Sequence, residues 1–362
     1  MKYIFQAFII FQILLAPLWA FGDKYANSFL KTGTGVREIS LGGSVVAAAD
    51  ASTAFYWNPA LLSGIKNLTG RMMHAEEFAG VLNLDHFSIT IPNFKDYKIG
   101  IGFLRSSVDN IPLVKESSLM DIGNDGLAPG DENYPGPDSD GSEGNGKMDR
   151  GERLNFGKIG KFGTSESAFF LAAGKSFSKK LSLGISLKGI SKNLYNTSAL
   201  GFGLDLGAVY QVTDKLNIGA SVSDFTTTYL FWNDGEREII APEIRTGVAY
   251  RLIIKTIPLS ITPMAGFNMT FDGRKNNSLT GSSILNAKAT FGLEMNFKNL
   301  LAFRFGRDEN ENFHIGAGIS TAITSLNYGF SLGDSYSQLG NSHQIGLVFN
   351  LQEVYTLIKN NL

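Results

Sequence analysis

The chain has 362 residues and a formal net charge of −1, from 32 Lys plus Arg against 33 Asp plus Glu. Balanced charge argues against a nucleic-acid partner, which needs a concentrated basic face. The lack of cysteine removes disulfides, thiolate zinc sites and cysteine nucleophiles together. The 41 glycines and 27 phenylalanines exceed what an ordinary soluble enzyme carries. The length does not force a split, because all-β barrels run this long as one unit.

Lys2 is followed by "YIFQAFIIFQILLAPLWA", an apolar run ending at Ala20. A short positive start, an apolar stretch and a small terminal residue read as a secretory signal peptide over residues 1–20. Leu18 is larger than the usual small residue there and blurs the cut site. Residues 21–67 follow, with "VREISLGGSVVAAADASTAFYWNPALLSG" rich in small residues and free of strand alternation. Ala47 to Ala51 are good helix formers. Asn58-Pro59 reads as a turn, because a residue before proline avoids the α region. Asn can cap backbone donors there while Pro fixes the bend.

Period-two alternation then takes over. In "LSLGISLKG", Leu181, Leu183, Ile185 and Leu187 oppose Ser182, Gly184, Ser186 and Lys188. In "GFGLDLGAVYQ", Phe202, Leu204, Leu206, Ala208 and Tyr210 oppose Gly203, Asp205 and Gly207. Such alternation marks strands with one apolar and one polar face. About fourteen segments show it, near 68–78, 84–92, 97–108, 166–178, 181–193, 201–212, 215–226, 243–252, 256–272, 285–297, 299–308, 311–322, 325–333 and 342–351. Tight links at 178–180, 213–215, 298–300 and 322–325 alternate with longer polar ones at 109–165, 192–200, 227–242, 272–284 and 334–341. That is the loop pattern of a transmembrane barrel, with short periplasmic turns and longer outer loops. The apolar face runs through nearly every strand, and Tyr97, Phe177, Tyr210, Phe225, Tyr250, Phe271 and Phe297 recur near strand ends as aromatic girdles do. The expected fold is an all-β transmembrane outer-membrane barrel of about fourteen antiparallel strands over 68–351, integral to the outer membrane and in contact with its lipid. A lumen of that width needs filling or holds water. Residues 21–67 are the expected filling, an N-terminal hatch.

The link 109–165, an acidic extracellular loop, carries "DIGNDGLAPGDENYPGPDSDGSEGNGKMDRGE". Calcium loops place oxygens at positions 1, 3, 5, 9 and 12 with glycine at 6. Asp121, Asp125 and Glu132 meet that spacing around Gly126. Asn145, Asp149 and Glu152 meet it around Gly146. Gly123 and Gly141 depart from the pattern where an oxygen is wanted. Calcium is therefore the expected ligand, set against a solvated acidic loop. Lys188, Asp205, Arg245, Arg251, Glu294 and Arg304 are placed toward the lumen as a polar network, since Arg or Lys on the lipid side at mid-bilayer costs about 2–4 kcal/mol. His74, His86, His314 and His343 show no metal spacing, with His314 and His343 expected near the outer rim. "GFGLDLG" lies inside a strand and is not a phosphate loop, and no nucleophile elbow, P-loop or dinucleotide fingerprint is present. The tail, residues 352–362, lies on the periplasmic side and offers Val354, Leu357 and Ile358 as one helical face.

The stretch "LGGSVVAAADASTAFYWNPALLSG", through Gly42, Gly43, Asp50, Tyr56, Trp57, Asn58, Pro59 and Ala60, resembles the N-terminal segment of the FadL-like outer-membrane proteins, and still more the PorV/PorQ branch. The resemblance implies a hatch closing a fourteen-stranded barrel, with these eight residues as its gate motif. It implies two roles. PorV-like members serve type IX secretion by binding exported cargo proteins or secretion-machinery subunits. FadL-like members admit hydrophobic small molecules. The expectation is a non-enzymatic protein of secretion or surface attachment, with FadL-like uptake as the alternative.

Overall fold

The computed structural model describes residues 28–150, 152–270, 286–333 and 340–361. The signal-peptide reading over 1–20, residues 21–27 of the expected hatch and Phe271 lie outside the described residues. The chain forms two units, one of Met1–Ser107 with Ser165–Leu362 and one of Val108–Thr164.

The larger unit is a closed antiparallel barrel of fourteen strands. They are β1 Thr69–Glu77, β2 Leu82–Phe94, β3 Tyr97–Leu113, β4 Gly160–Ser176, β5 Leu181–Leu194, β6 Thr197–Gln211, β7 Leu216–Ser223, β8 Glu243–Tyr250, β9 Leu259–Thr270, β10 Asn286–Phe297, β11 Leu301–Arg307, β12 Phe313–Ser320, β13 Thr324–Ser331 and β14 Ser342–Asn350. Each pairs with its neighbour in sequence. The β1–β14 pairing, from Thr69↔Asn350 to Glu76↔His343, closes the ring. Closure leaves no unpaired edge, which a sheet in hydrocarbon cannot tolerate.

The alternation decides which face is which. On β5 and β6, Leu187 is 54% exposed and Phe202 74%, while Lys188 and Asp205 are each 4% exposed. The apolar row points out and the charged row points in, the reverse of a water-soluble β-protein. An apolar exterior on a closed barrel makes this an integral outer-membrane protein. Tyr97, Phe177, Tyr210, Tyr250 and Phe297 are exposed at the end that carries the short turns, an aromatic girdle at the periplasmic interface. Both β1 and β14 also reach that end.

Two connections differ from the sequence expectation. β5 and β6 stay in register to Leu194↔Thr197, so Tyr195-Asn196 is a tight turn and 192–200 is no long link. No Gly marks that turn, and Tyr195 itself takes the left-handed conformation at φ 52°. The link 227–242 folds into a hairpin of Thr228–Trp232 and Arg237–Ile240, whose first strand continues β7 along β6 through Tyr229↔Phe202. Between them, Asp224 and Thr227 take positive φ, a bulge that bends the strand. The tail is an α-helix, Leu351–Asn361. The smaller unit holds a two-residue ladder, Leu119–Met120 with Arg153–Leu154, and an isolated bridge Ile122↔Glu143.

Residues 28–65 lie within the barrel as short helices, α1 Val36–Ser40 and α2 Ala54–Trp57, with 3-10 turns at Ser28–Thr32, Ala51–Thr53 and Pro59–Gly64. Their apolar side chains, among them Val36, Leu41, Val45, Phe55 and Leu62, are fully buried. The polar inner wall receives them because it is lined with glycine. A Cβ on Gly207 would overlap Asn58 Oδ1, and one on Gly306 would overlap the backbone of Leu41 and Gly42. Gly42 itself sits at φ 63°, a conformation that costs glycine nothing.

Candidate functional site

The motif singled out in the sequence is the core of this inner segment. Asp50 caps Ala51–Thr53 by accepting from Ser52 N at 2.9 Å and Ser52 Oγ at 2.6 Å. Tyr56 donates its hydroxyl to Leu30 O, and Trp57 Nε1 donates to Thr34 O at 2.8 Å. Gly43 lies under the Trp57 ring. Asn58 is the pivot. Its Nδ2 donates to Val46 O at 2.7 Å within the segment and to Ala208 O at 3.1 Å on β6, while its Oδ1 accepts from Ala60 N at 3.1 Å. Pro59 takes the first position of the 3-10 turn and packs on Gly174 and Gly184. Ala60 is wholly buried.

The six lumen residues do not form one network. Glu294 accepts a bidentate pair from Arg37, at 2.8 Å from Nε and 2.6 Å from Nη2, and also accepts Arg304 Nε at 2.9 Å. Arg304 Nη1 donates to Asn327 Oδ1 at 2.8 Å. Arg37 reaches Glu38 at 3.3 Å, Glu38 reaches Arg71 at 3.3 Å, and Arg71 reaches Asp50 at 3.3 Å. Three arginines and three carboxylates thus alternate in one chain from β11 through the segment to β1. Charges taken out of water persist only when paired in this way. Lys188 stands apart, bridging Asp205 at 2.8 Å and Asp224 at 2.9 Å, where Asp224 N also donates to Asp205 at 2.7 Å. These contacts pin the bulge after β7. Arg245 makes a third group. It binds Glu243 at 2.7 Å and lies over the Tyr56 and Trp57 rings at 5.2 and 5.3 Å, a cation–π contact on the segment. Arg251 belongs to none of the three and is exposed just past β8.

Sequence reasoning missed Arg37, Glu38, Arg71, Asp224 and Glu243. The adjacent charges "RE" at 37–38, inside a run of small residues, were the one local signal for the first two. Glu243 stands two residues before Arg245 on the same face of β8, a spacing the sequence displays, whereas Arg71 and Asp224 are joined by pairings that no local pattern records.

Two cavities flank the segment. One is lined by Ile39, Gly42, Gly43, Tyr56, Trp57, Arg245 and His314 among others. The other, of about 380 Å³, lies at the short-turn end and reaches Arg37, Ala48 and Glu294. A third space opens on the outer surface of the wall, an apolar groove of about 400 Å³ lined by Met72, Phe87, Ile89, Ile101, Phe103 and Phe349. Arg71, Ser88 and Gly102 line it as well, and each touches the segment on its inner side. Arg71 pairs with Glu38 and Asp50, Ser88 Oγ donates to Ser52 O at 2.8 Å, and Gly102 packs against the Phe55 ring.

The histidines are dispersed. His314 and His343 are the second residues of β12 and β14, at the outer ends. His314 meets Ser331 at 2.7 Å and Asp308 at 3.1 Å, and His343 meets Tyr328 at 2.7 Å. His74 pairs with Asp85 at 2.8 Å, and His86 is buried against Phe55.

In the smaller unit the acidic residues are spent largely on backbone donors. Asp121 accepts from Gly144 N at 2.8 Å and Gly146 N at 2.6 Å, and these bonds hold its carboxyl below the usual range. Glu152 accepts from Gly123 N at 3.1 Å and Asp149 N at 2.7 Å. Asp125 accepts from Leu127 N, and Asn145 donates to Asp149 at 2.6 Å. Glu132 is exposed. Among the described residues, no three acidic or histidine side chains converge as a ligand set for a cation.

No protein-family model and no curated protein matches this chain. Solved structures do match over most of its length. The Pseudomonas putida toluene transporter TodX aligns at 13% identity and TM-score 0.53, over 87% of this chain and 96% of that one. The monoaromatic hydrocarbon channel CymD aligns at 12% identity and TM-score 0.52, over 88% and 98%. A Pseudomonas aeruginosa FadL homologue aligns at 11% identity and TM-score 0.46, over 88% and 98%. The first two likenesses show a shared fold, the barrel of TodX and CymD.

Proposed function

We propose that this protein is a non-enzymatic channel admitting hydrophobic small molecules across the outer membrane, with the inner segment as its hatch. One observation carries the reading: Arg71, Ser88 and Gly102 line the apolar groove on the lipid side and hold the segment on the lumen side. The ladder Arg71↔Ser88↔Gly102 is unbroken in this state, so a sideways exit there requires these strands to part as the segment shifts at Phe55, and an apolar solute would then leave into lipid without crossing a polar face. The names of TodX and CymD, a toluene transporter and a monoaromatic hydrocarbon channel, support this choice of solute class. Nothing among the described residues favours the type IX secretion reading over it.

The test is uptake of radiolabelled toluene by cells expressing the protein, against cells expressing a plain porin, paired with mass spectrometry of what copurifies from detergent-solubilised membranes. Faster toluene entry with bound apolar molecules is the expected result. Unchanged entry together with copurified exported proteins sharing a C-terminal domain would replace the channel with secretion.

A further inference from the structure

The last strand does not end the fold. The helix α3, Leu351–Asn361, begins directly after Asn350, whose side chain caps it by accepting from Glu353 N at 3.3 Å. At about 100° per residue, Leu351, Val354, Tyr355, Leu357 and Ile358 fall within an arc of about 160°. Gln352, Glu353, Thr356 and Lys359 occupy the opposite side. Tyr355 is 63% exposed and Ile358 55% exposed, so the barrel does not cover these two positions of the stripe.

Its first residue shows which way the stripe faces. Leu351 N donates to Leu68 O at 2.9 Å, and the Leu351 side chain lies against Gly70. Gly70 sits on the row Phe349, Gly70, Ile89, Ile101 set by strand register, whose three larger members line the outer groove. Leu351 fills the lower rim of that groove beside Phe349. The apolar stripe of α3 is therefore continuous with the lipid-facing belt of the wall, at the short-turn end.

We infer that α3 is an in-plane membrane anchor, its apolar stripe seated in the periplasmic leaflet of the outer membrane. The occupant is phospholipid. The stripe joins a surface already in lipid, its polar side carries charges of both signs, and an amphipathic helix at such a boundary buries its apolar face at the headgroup–acyl level. This placement is independent of what the channel carries.

The chain has no cysteine, so single-cysteine labelling is clean. Ile358→Cys and Thr356→Cys would each carry a nitroxide in the full-length protein, purified alone and reconstituted in vesicles of phosphatidylethanolamine and phosphatidylglycerol. Heat-modifiable mobility on gels confirms a folded barrel for each variant. The expected result is a ratio of oxygen to nickel-chelate collision rates at least threefold higher at residue 358 than at residue 356. Equal ratios would overturn the anchor, leaving α3 in water and its stripe for a periplasmic protein. Shielding of residue 358 from both reagents would overturn it too, since protein would then cover the stripe.

Discussion

At the residue scale, Glu294 ties the segment to the wall, because it accepts a bidentate pair from Arg37 of the segment while Arg304 of the wall holds it in place. Glu294→Gln leaves two buried guanidiniums facing a neutral amide. Removing one partner of a buried ion pair typically costs about 3–5 kcal/mol. The barrel ladder does not depend on this pair, so the loss falls on the segment. The expected outcome is a barrel with unchanged heat-modifiable mobility and raised permeability to a small sugar in liposome swelling. Unchanged permeability would mean the segment is held elsewhere. Asn58→Ala gives a second, smaller effect. It removes one cap and two bonds to backbone oxygens, of the order of 1–3 kcal/mol, so swelling should rise less than in Glu294→Gln.

At the element scale, each strand has one face for lipid and one for the lumen, and exchanging their chemistry tests the assignment. Leu204 points outward and pairs across from Leu187. Leu204→Arg places a cation against hydrocarbon at a cost of about 2–4 kcal/mol, and should cut the assembled fraction in the membrane. Arg304→Leu leaves Glu294 with its bidentate Arg37 partner, and should assemble nearly as wild type. The reverse ranking would invert the faces. The strands were legible in sequence because period two survives wherever one face meets lipid, and all fourteen lie where alternation puts them. The Tyr195-Asn196 turn was not legible, since neither residue signals a hairpin. The Arg37–Glu294 pair was not legible either, because 257 residues separate its partners and no local periodicity encodes that. The inner-segment motif was visible as small residues and Asn-Pro, whereas its partners on the wall were glycines, which in isolation read only as weak strand positions. The acidic loop has its own dependence. Asp121, bonded by the Gly146 and Gly144 amides, and Asp140, bonded by Ser142 and Asn124, both have folded pKa values below the ordinary 3.8. Their stabilisation is present in full above that value and is lost as pH falls through the lower folded values. Hydrogen exchange at the Gly144 and Gly146 amides, corrected for intrinsic rates, should quicken as pH falls below the ordinary 3.8. Constant protection would show that the carboxylates do not order the loop.

At the scale of the whole molecule, a fourteen-strand wall is wider than the eight strands whose side chains fill their own interior and narrower than open porins of sixteen to eighteen. Residues 28–65 occupy that intermediate width, and the glycine rows that admit them leave the wall few side chains of its own with which to close. Deleting residues 36–65 should therefore open an aqueous path, with liposome swelling in small sugars rising to near porin rates while the barrel still assembles. On the proposed channel reading the wild-type protein should pass toluene and exclude the sugar, because only an apolar solute would partition into the groove beside Phe55. In the deletion variant the two solutes should both pass, so discrimination between them disappears. If the variant assembles and still excludes sugar, the segment is not the seal, and the wall's own inner side chains must close the lumen instead.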